Sequence, residues 1–581
     1  MPTPAQHTNR FRIEVDGAPL PDVVDGKLLS AHVDNAINLP DLFLLVFRDP
    51  DREVISAGGF TVGAEVVVKV HDPQNTGGVV LASGEVTALE ADIDTQGTLT
   101  IVRGLDKSHR LFRGRHTKSY VQMTYAEIAR EVAGRVSLEI GTVDPTDLRH
   151  DHVTQANTTD WVFLRGLATE VGYDMGVVDG KFVFRKPKHS ASAPAEGTLQ
   201  STDALELILG ANLIRCRASV SAADQVAKVE VRGWDSAAKE AVVARRPLST
   251  DTLTLGTDPA QLASAFGDAV YVSTEVPYAK QAEVDGASDA LAEAVACSFA
   301  EMDGLARGNP KIKAGTAVSL GLVAEPFDGK YTVTTTRHSF DPDEGYTTAF
   351  GVAGGLDRSL AGVITGGSQS WGRSSAGPIP GVVTALVTDA RDPDELGRVK
   401  VRFPWLSDDF ETDWVRIVQA GAGDQRGWAI VPEVGDEVLL AFDQGDVRRP
   451  YVIGGLYNGV DRAHDSVTSD WIDGTSGAVN MRSFTSRTGH RLDFADHAGK
   501  EQVHLTTGDD GYRVTLDQAG TKITVHSDGS IEIDARNDVK ITSSSGNVEI
   551  SGIKVKVSGS AGVDIDGGPT TNITGQIVKL N

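Results

Sequence analysis

GVVTALVTDARDPDELGRVKVRFPWLSDDFETDWVRIVQAGAGDQRGWAIVPEVGDEVLLAFDQGDVRRPYVIGGLYNG, residues 381–459, is the stretch on which the fold turns. Residues 382–387 are apolar and β-branched, and DARDPDELG is an Asp-rich turn. In 398–403, Val399, Val401 and Phe403 point one way and Arg398, Lys400 and Arg402 the other. That period of two marks a half-buried strand. Residues 414–418, 428–431, 437–442 and 451–456 supply further strands. Short strands and tight turns at this spacing predict a small closed barrel, an OB-fold.

A basic strand face also suits a nucleotide-binding OB domain. Here Asp408, Asp409, Glu411, Asp413, Asp424, Glu433, Asp436 and Asp443 surround it with negative charge, so no nucleic-acid partner is expected. LGRVKVRFPW, VPEVGDEVLLAFDQGD and RRPYVIGGLYNG instead resemble the OB-fold of VgrG-type spike proteins, with several motifs in fixed order. Such proteins form the hub and spike of contractile injection machines: phage tails, type VI secretion and extracellular phage-tail-like particles. FPWLSDDFETDW and GDVRRPYVIGG look more like the phage-like and extracellular particles than type VI secretion.

The length of 581 residues suggests several domains. With 80 acidic against 55 basic residues the net charge is −25, which argues against a sequence-independent nucleic-acid binder and favours solubility. The 62 glycines suit a turn-rich β protein. Two cysteines, Cys216 and Cys297, lie in apolar surroundings and read as buried thiols; their number excludes a disulfide framework or a cysteine-rich zinc site. MPTPAQHTNRFRIEVDG lacks the apolar core of a signal peptide, and the run 42–47 is too short to span a bilayer. Synthesis and assembly in the bacterial cytoplasm are expected, with any release as part of a particle.

The mainly β chain divides as follows. Residues 1–110 read as a first β-barrel domain, with Phe11, Ile13 and Val15 alternating. Residues 111–215 read as an α+β insertion. Thr124 and Glu127 form a capping box before a helix at 125–132. A second helix at 159–172 carries Trp161, Leu164, Leu167 and Val171 on one stripe, and a hairpin at 176–184 turns at Asp179-Gly180. SHRLFRGRHTKSYVQMTYAEIARE and TTDWVFLRGLATEVGYDMGVVDGKFVFRKP resemble the inserted module of a phage-tail hub. Residues 216–360 return to β structure around one helix at 287–305, with strands at 226–231 and 331–335. The resemblance implies a second hub barrel here, so that a trimer matches a sixfold tube. Residues 361–380 are a Gly/Ser/Pro-rich linker, 381–460 the OB-fold and 461–482 a polar connector.

Residues 483–581 read as a β-helical spike. Apolar-x-apolar pairs begin at Ile523, Ile531, Val539, Val548, Val555, Val563 and Ile573, in steps of 8, 8, 9, 7, 8 and 10. Ile533 and Ile550 are second members of such pairs, and turn residues fall between them. Two apolar residues per strand cannot enclose a core in one chain, but three intertwined chains can. This predicts a triple-stranded β-helix and an obligate homotrimer, a prism of about 30 to 35 Å from these strands. The end, with Ile577, Val578, Leu580 and Asn581, presents apolar residues from three chains. The resemblance implies that it docks a PAAR-type tip protein, that inner tube and baseplate proteins are further partners, that effector cargo can ride on the spike, and that contact with the target membrane is transient.

No G-x-S-x-G, H-E-x-x-H, P-loop or C-x-x-C occurs. His150 and His152 lack a matching third ligand and read as an exposed loop. No enzyme activity, cofactor or metal is expected. Lysozyme or effector domains carried by some relatives have no room between 460 and 483, and no effector is expected after the β-helix. The rival readings are a peptidoglycan hydrolase borne on a spike, the tail spike of a contractile prophage, and a trimeric receptor-binding fibre.

Overall fold

The computed structural model describes residues 11–72, 75–95, 97–195, 201, 203–341, 345–353, 379, 381–407 and 409–579. The chain forms two compact units, Met1–Val460 and Asp461–Asn581. Most of the expected linker lies outside the described residues, as do Asp408, Leu580 and Asn581.

The first unit contains an eleven-stranded sheet. Its two halves come from distant parts of the chain. They meet where Thr335–Asp341 pairs antiparallel with Leu28–Ala36, Ala36 opposite Thr335 and Ala31 opposite Phe340. Each half has its own apolar core, one around Phe11, Phe43 and Phe47, the other around Phe299, Tyr331 and Phe350. Alternation explains the strands: Phe11, Ile13 and Val15 are buried, while Arg12 is exposed.

The insertion follows its local signals. Helix Tyr125–Arg135 begins at Thr124, whose hydroxyl accepts from the Glu127 amide while the Glu127 carboxylate accepts from the Thr124 amide at 2.8 Å. Helix Asp160–Glu170 starts behind Thr159 and buries Trp161, Leu164 and Leu167. The hairpin of Asp174–Val178 with Lys181–Arg185 turns at Asp179 and Gly180, both at positive φ (49° and 80°). A two-residue turn of that kind matches the twist of the strands.

Four expectations need correction, the last of them in the OB-fold. The helix of the second hub half is Gln281–Ala296, not 287–305. Glu283 caps its start, accepting from the amides of Ala279 and Lys280, so Gly286 sits inside the helix. The chain then enters strand Ala300–Arg307, where Ala300, Met302, Gly304 and Ala306 alternate into the core with neighbours on both sides. Residues 331–335 are two elements: Gly329–Thr332 belongs to a four-stranded sheet and Thr335–Asp341 to the large one. His150 and His152 stand in strand Arg149–Thr158, half-buried, and not in a loop.

Residues 382–455 form a five-stranded sheet in the order Lys400–Arg402, Val382–Asp389, Glu437–Phe442, Pro450–Gly455, Arg416–Ile417. A bridge between Val399 and Val415 closes it into a barrel. Val399, Val401 and Phe403 are fully buried. Phe403 stacks on Phe410 at 5.3 Å and meets Phe442 edge-on at 6.0 Å. Residues 428–431 are not a strand. The chain turns back earlier, pairing Ala422–Gly423 with Arg426–Gly427, and the Gln419 amide satisfies both backbone groups of Ile430.

In the second unit, strands Met481–Thr485, Arg491–Ala495, Gln502–Thr506, Tyr512–Asp517 and Lys522–Ser527 form an antiparallel meander. Residues 528–579 contain no strand paired within the chain.

Candidate functional site: an uncovered apolar ladder

The meander has two unlike faces. Strict register places Phe484, Leu492, Leu505, Val514 and Val525 in one row, and Phe494, Val503, Leu516 and Ile523 in the next. The whole of this face is apolar except for its ends. The opposite face carries Arg491, Asp493, His504, Thr506 and Thr515. Burial is inverted relative to polarity: Asp493 is 5% exposed while Phe494, its neighbour in sequence, is 46% exposed. The polar face satisfies itself. Arg491 bonds Asp510 at 2.8 Å, Asp493 accepts from Ser483 at 2.5 Å, and His504 lies 3.2 Å from the Thr515 hydroxyl.

Exposed apolar side chains continue along the chain. Ile523 stands on the last strand of the meander. Ile531, Ile533, Val539, Val548, Ile550, Val555, Val563 and Ile573 are all exposed, Ile533 and Ile550 each at 72%. Ile577 and Val578 are exposed as well. Sequence reasoning began its apolar count at Ile523 and so missed Phe484, Leu492, Phe494, Leu505, Val514 and Leu516. The signal was present in RLDFA, QVHLT and YRVTLD, where apolar and polar residues alternate. Burying one such side chain contributes roughly 1.5–3 kcal/mol, so a ladder left in water is a large unsatisfied driving force.

The basic strand of the OB-fold is neutralised from within. Arg398 bonds Asp392 at 2.6 Å and Asp394 at 2.5 Å; Lys400 lies 3.5 Å from Glu411 and over the Trp414 ring. Arg398 holds the Asp392 carboxyl well below the usual range. Among the described residues no three His, Cys, Asp or Glu side chains gather as a metal site. Cys216 and Cys297 are half-buried and form no disulfide. No helix among the described residues is long and apolar enough to cross a membrane.

A barrel of this topology beside a sheet built from two distant parts of the chain is similar to the architecture of phage-tail and secretion spikes. Residues 383–457 match the family described as the type VI secretion system/phage-baseplate injector OB domain. Residues 5–341, more than half of the chain, match the Alg8 N-terminal domain. The chain belongs to the Alg8 N-terminal domain family and is similar to VgrG-type spike proteins. It is 32% identical over 176 residues to the type VI secretion system spike protein VgrG1a of Pseudomonas aeruginosa, covering 28% of this chain and 26% of that one. It is 28% identical over 172 residues to the actin cross-linking toxin VgrG1 of Vibrio cholerae, covering 28% of this chain and 15% of the toxin. The chain thus spans about a quarter or less of these relatives. Among solved structures, a chain of the lidded Francisella PdpA–VgrG complex superposes with a TM-score of 0.51 at 9% identity, covering 89% of this chain and 79% of that chain. At this identity the likeness is one of fold.

Proposed function

We propose that this chain is the central hub and spike of a contractile injection machine and works as a homotrimer. The observation that carries this is the meander's apolar face, which one chain leaves in water while it buries the polar face. Three copies related by a threefold axis turn that face inward and give the apolar pairs from Ile531 to Ile573 a common core. In such a shaft each backbone group finds a partner on a neighbouring chain and no free edge remains. Axial load then falls on a dense hydrogen-bond ladder over a dry core.

The chain's role in this reading is mechanical. Force comes from sheath contraction, and the Vibrio relative's toxin activity is not carried over to this chain. The hub half meets tube and baseplate proteins. The apolar end at Ile577, Val578, Leu580 and Asn581 receives a PAAR-type tip protein, and cargo travels on the tip or in the lumen. Assembly takes place in the cytoplasm, and membrane contact is transient, at puncture.

Light scattering on the purified chain tests the reading. A mass near three times 61.5 kDa, falling to the monomer after removal of residues 483–581, is expected. A folded full-length monomer overturns it.

A further inference from the structure

Where the OB-fold meets the hub insertion, within the first unit, charge is buried in quantity. Arg448, on the OB loop before Pro450–Gly455, bonds Glu170 of the insertion at 3.1 Å and Asp446 at 2.9 Å. The Tyr125 hydroxyl donates to the same Glu170 at 2.5 Å. Arg449 reaches Glu283 of helix Gln281–Ala296 at 3.4 Å. A second contact lies on strand Arg149–Thr158. His152 donates from Nε2 to the Glu411 carbonyl of the OB-fold at 3.2 Å and sits edge-on to Phe410; Ser119 donates to the same carbonyl at 3.2 Å. Ala156, on that strand, packs against the OB core. Breaking a buried pair by removing one partner is strongly destabilising, because a charge stays behind without solvent.

We propose that the insertion and the OB-fold are joined by a non-covalent latch, centred on Arg448 and on the strand of His150 and His152, which holds the two without the intervening chain and opens in acid. The residues that face the histidines set the trigger. His150 lies flat on the Tyr125 ring at 4.1 Å, with Arg448 of the OB-fold, Lys280 and Glu283 of the hub helix and Asp151 of its own strand around it. Asp151 is engaged by Lys280 at 2.5 Å. His152 faces Glu411, Asp413 and Lys400 of the OB-fold. Burial outweighs the carboxylates and pushes both imidazoles down, His150 to about 4. A proton on His150 would place a second cation beside Arg448 where water cannot screen it. Asp446, which Arg448 holds below the usual carboxylate range despite burial, stays ionised through the same window.

Each histidine takes up one proton on release, His150 from about 4 when latched toward the ordinary 6.5, and His152 from a value that burial holds below the ordinary one. The dissociation constant of the latch therefore rises by up to about 100-fold per pH unit below pH 6.5 with both histidines present, and by about tenfold with one.

The test uses the full-length chain with a protease site inserted between residues 364 and 378, cut and followed by size-exclusion chromatography. The hub fragment and the OB-spike fragment are expected to co-elute near pH 7.5 and to part below about pH 5.5. Arg448→Met should separate the cut fragments at neutral pH while the uncut chain keeps its mass. Glu283→Gln, at the margin of the cluster, weakens co-elution by about tenfold or less if Arg448→Met does not fold. His150→Phe keeps the stack on Tyr125 and should halve the pH slope. Wild-type fragments that separate at neutral pH overturn the latch. Fragments that stay together down to about pH 4, or a slope unmoved by His150→Phe, overturn the acid trigger.

Discussion

The OB barrel and the spike segment are both built from alternating strands, yet they complete themselves differently. In the barrel, Val399, Val401 and Phe403 turn into a core that the same chain closes with Phe410, Leu440 and Phe442. In the meander, Phe494 and Leu505 turn the same way along their strands, but beyond their cross-strand neighbours no second layer of their own chain covers them. Alternation tells a strand which face is apolar. It does not tell it whose side chains will cover that face. The barrel's stability belongs to one chain; in the proposed trimer the spike's depends on how many chains are present.

The largest expected effect breaks the second half of that contrast. Phe494→Asp or Leu505→Asp puts a charge on the apolar face. It should convert a trimer to a monomer at micromolar concentration and leave the far-ultraviolet circular dichroism of the first unit unchanged. The same change on the other face, at Thr515, should leave the mass intact. If Phe494→Asp stays trimeric, the face does not lie in the trimer interior.

Next in size is the barrel itself. Phe403→Ala empties the centre of an aromatic cluster that the chain cannot refill and should cost about 3–5 kcal/mol. Because the barrel core is made by one chain, the cost read from denaturant midpoints should not change with protein concentration, whereas the Phe494→Asp defect should.

How far the sequence could be read follows the same division. The capping box at Thr124, the turn at Asp179-Gly180 and the buried stripe of Trp161, Leu164 and Leu167 were all legible, because each is decided within a few residues. The pairing of Thr335–Asp341 with Leu28–Ala36 was not, since nothing local joins positions some 300 residues apart. Gly286 hid the true start of a helix that Glu283 fixes by capping. His150 and His152 looked like loop residues because RHDHV is polar; the Tyr125 ring and the OB-fold that bury them lie elsewhere in the chain. The apolar pairs of the spike were plain in the sequence, but the face built by Phe484 to Leu516 needed the register of four neighbouring strands.

A pH profile sharpens the comparison from the hub side. Asp41 is half-buried beside the buried Asp106 and accepts from the Asn35 amide at 2.8 Å. Burial first, then the Asp106 charge, push its carboxyl up to about 8. The folded chain thus keeps a proton that the unfolded chain releases near pH 3.8. Stability from this group is therefore full below that value and is lost as pH rises toward 8, by at most about 1.4 kcal/mol per unit. Asp41→Asn should flatten the decline between about pH 5 and 8 in denaturant midpoints, at every protein concentration.

The smallest effect is the most local. Thr124→Ala removes one half of the capping box and leaves the Glu127 amide without its acceptor. Its cost should be about 1 kcal/mol, seen in hydrogen exchange of the helix Tyr125–Arg135. That helix also carries Tyr125, which holds Glu170 in place for Arg448. A loosened first turn should therefore appear a second time, as slightly faster exchange around Arg448 on the OB loop. If exchange changes only inside the helix, the self-sufficiency of the first unit is modular, with the insertion and the barrel each closed alone. If both sites respond, one charged cluster makes the hub and the barrel a single cooperative body, and only the spike is left to be completed by other chains.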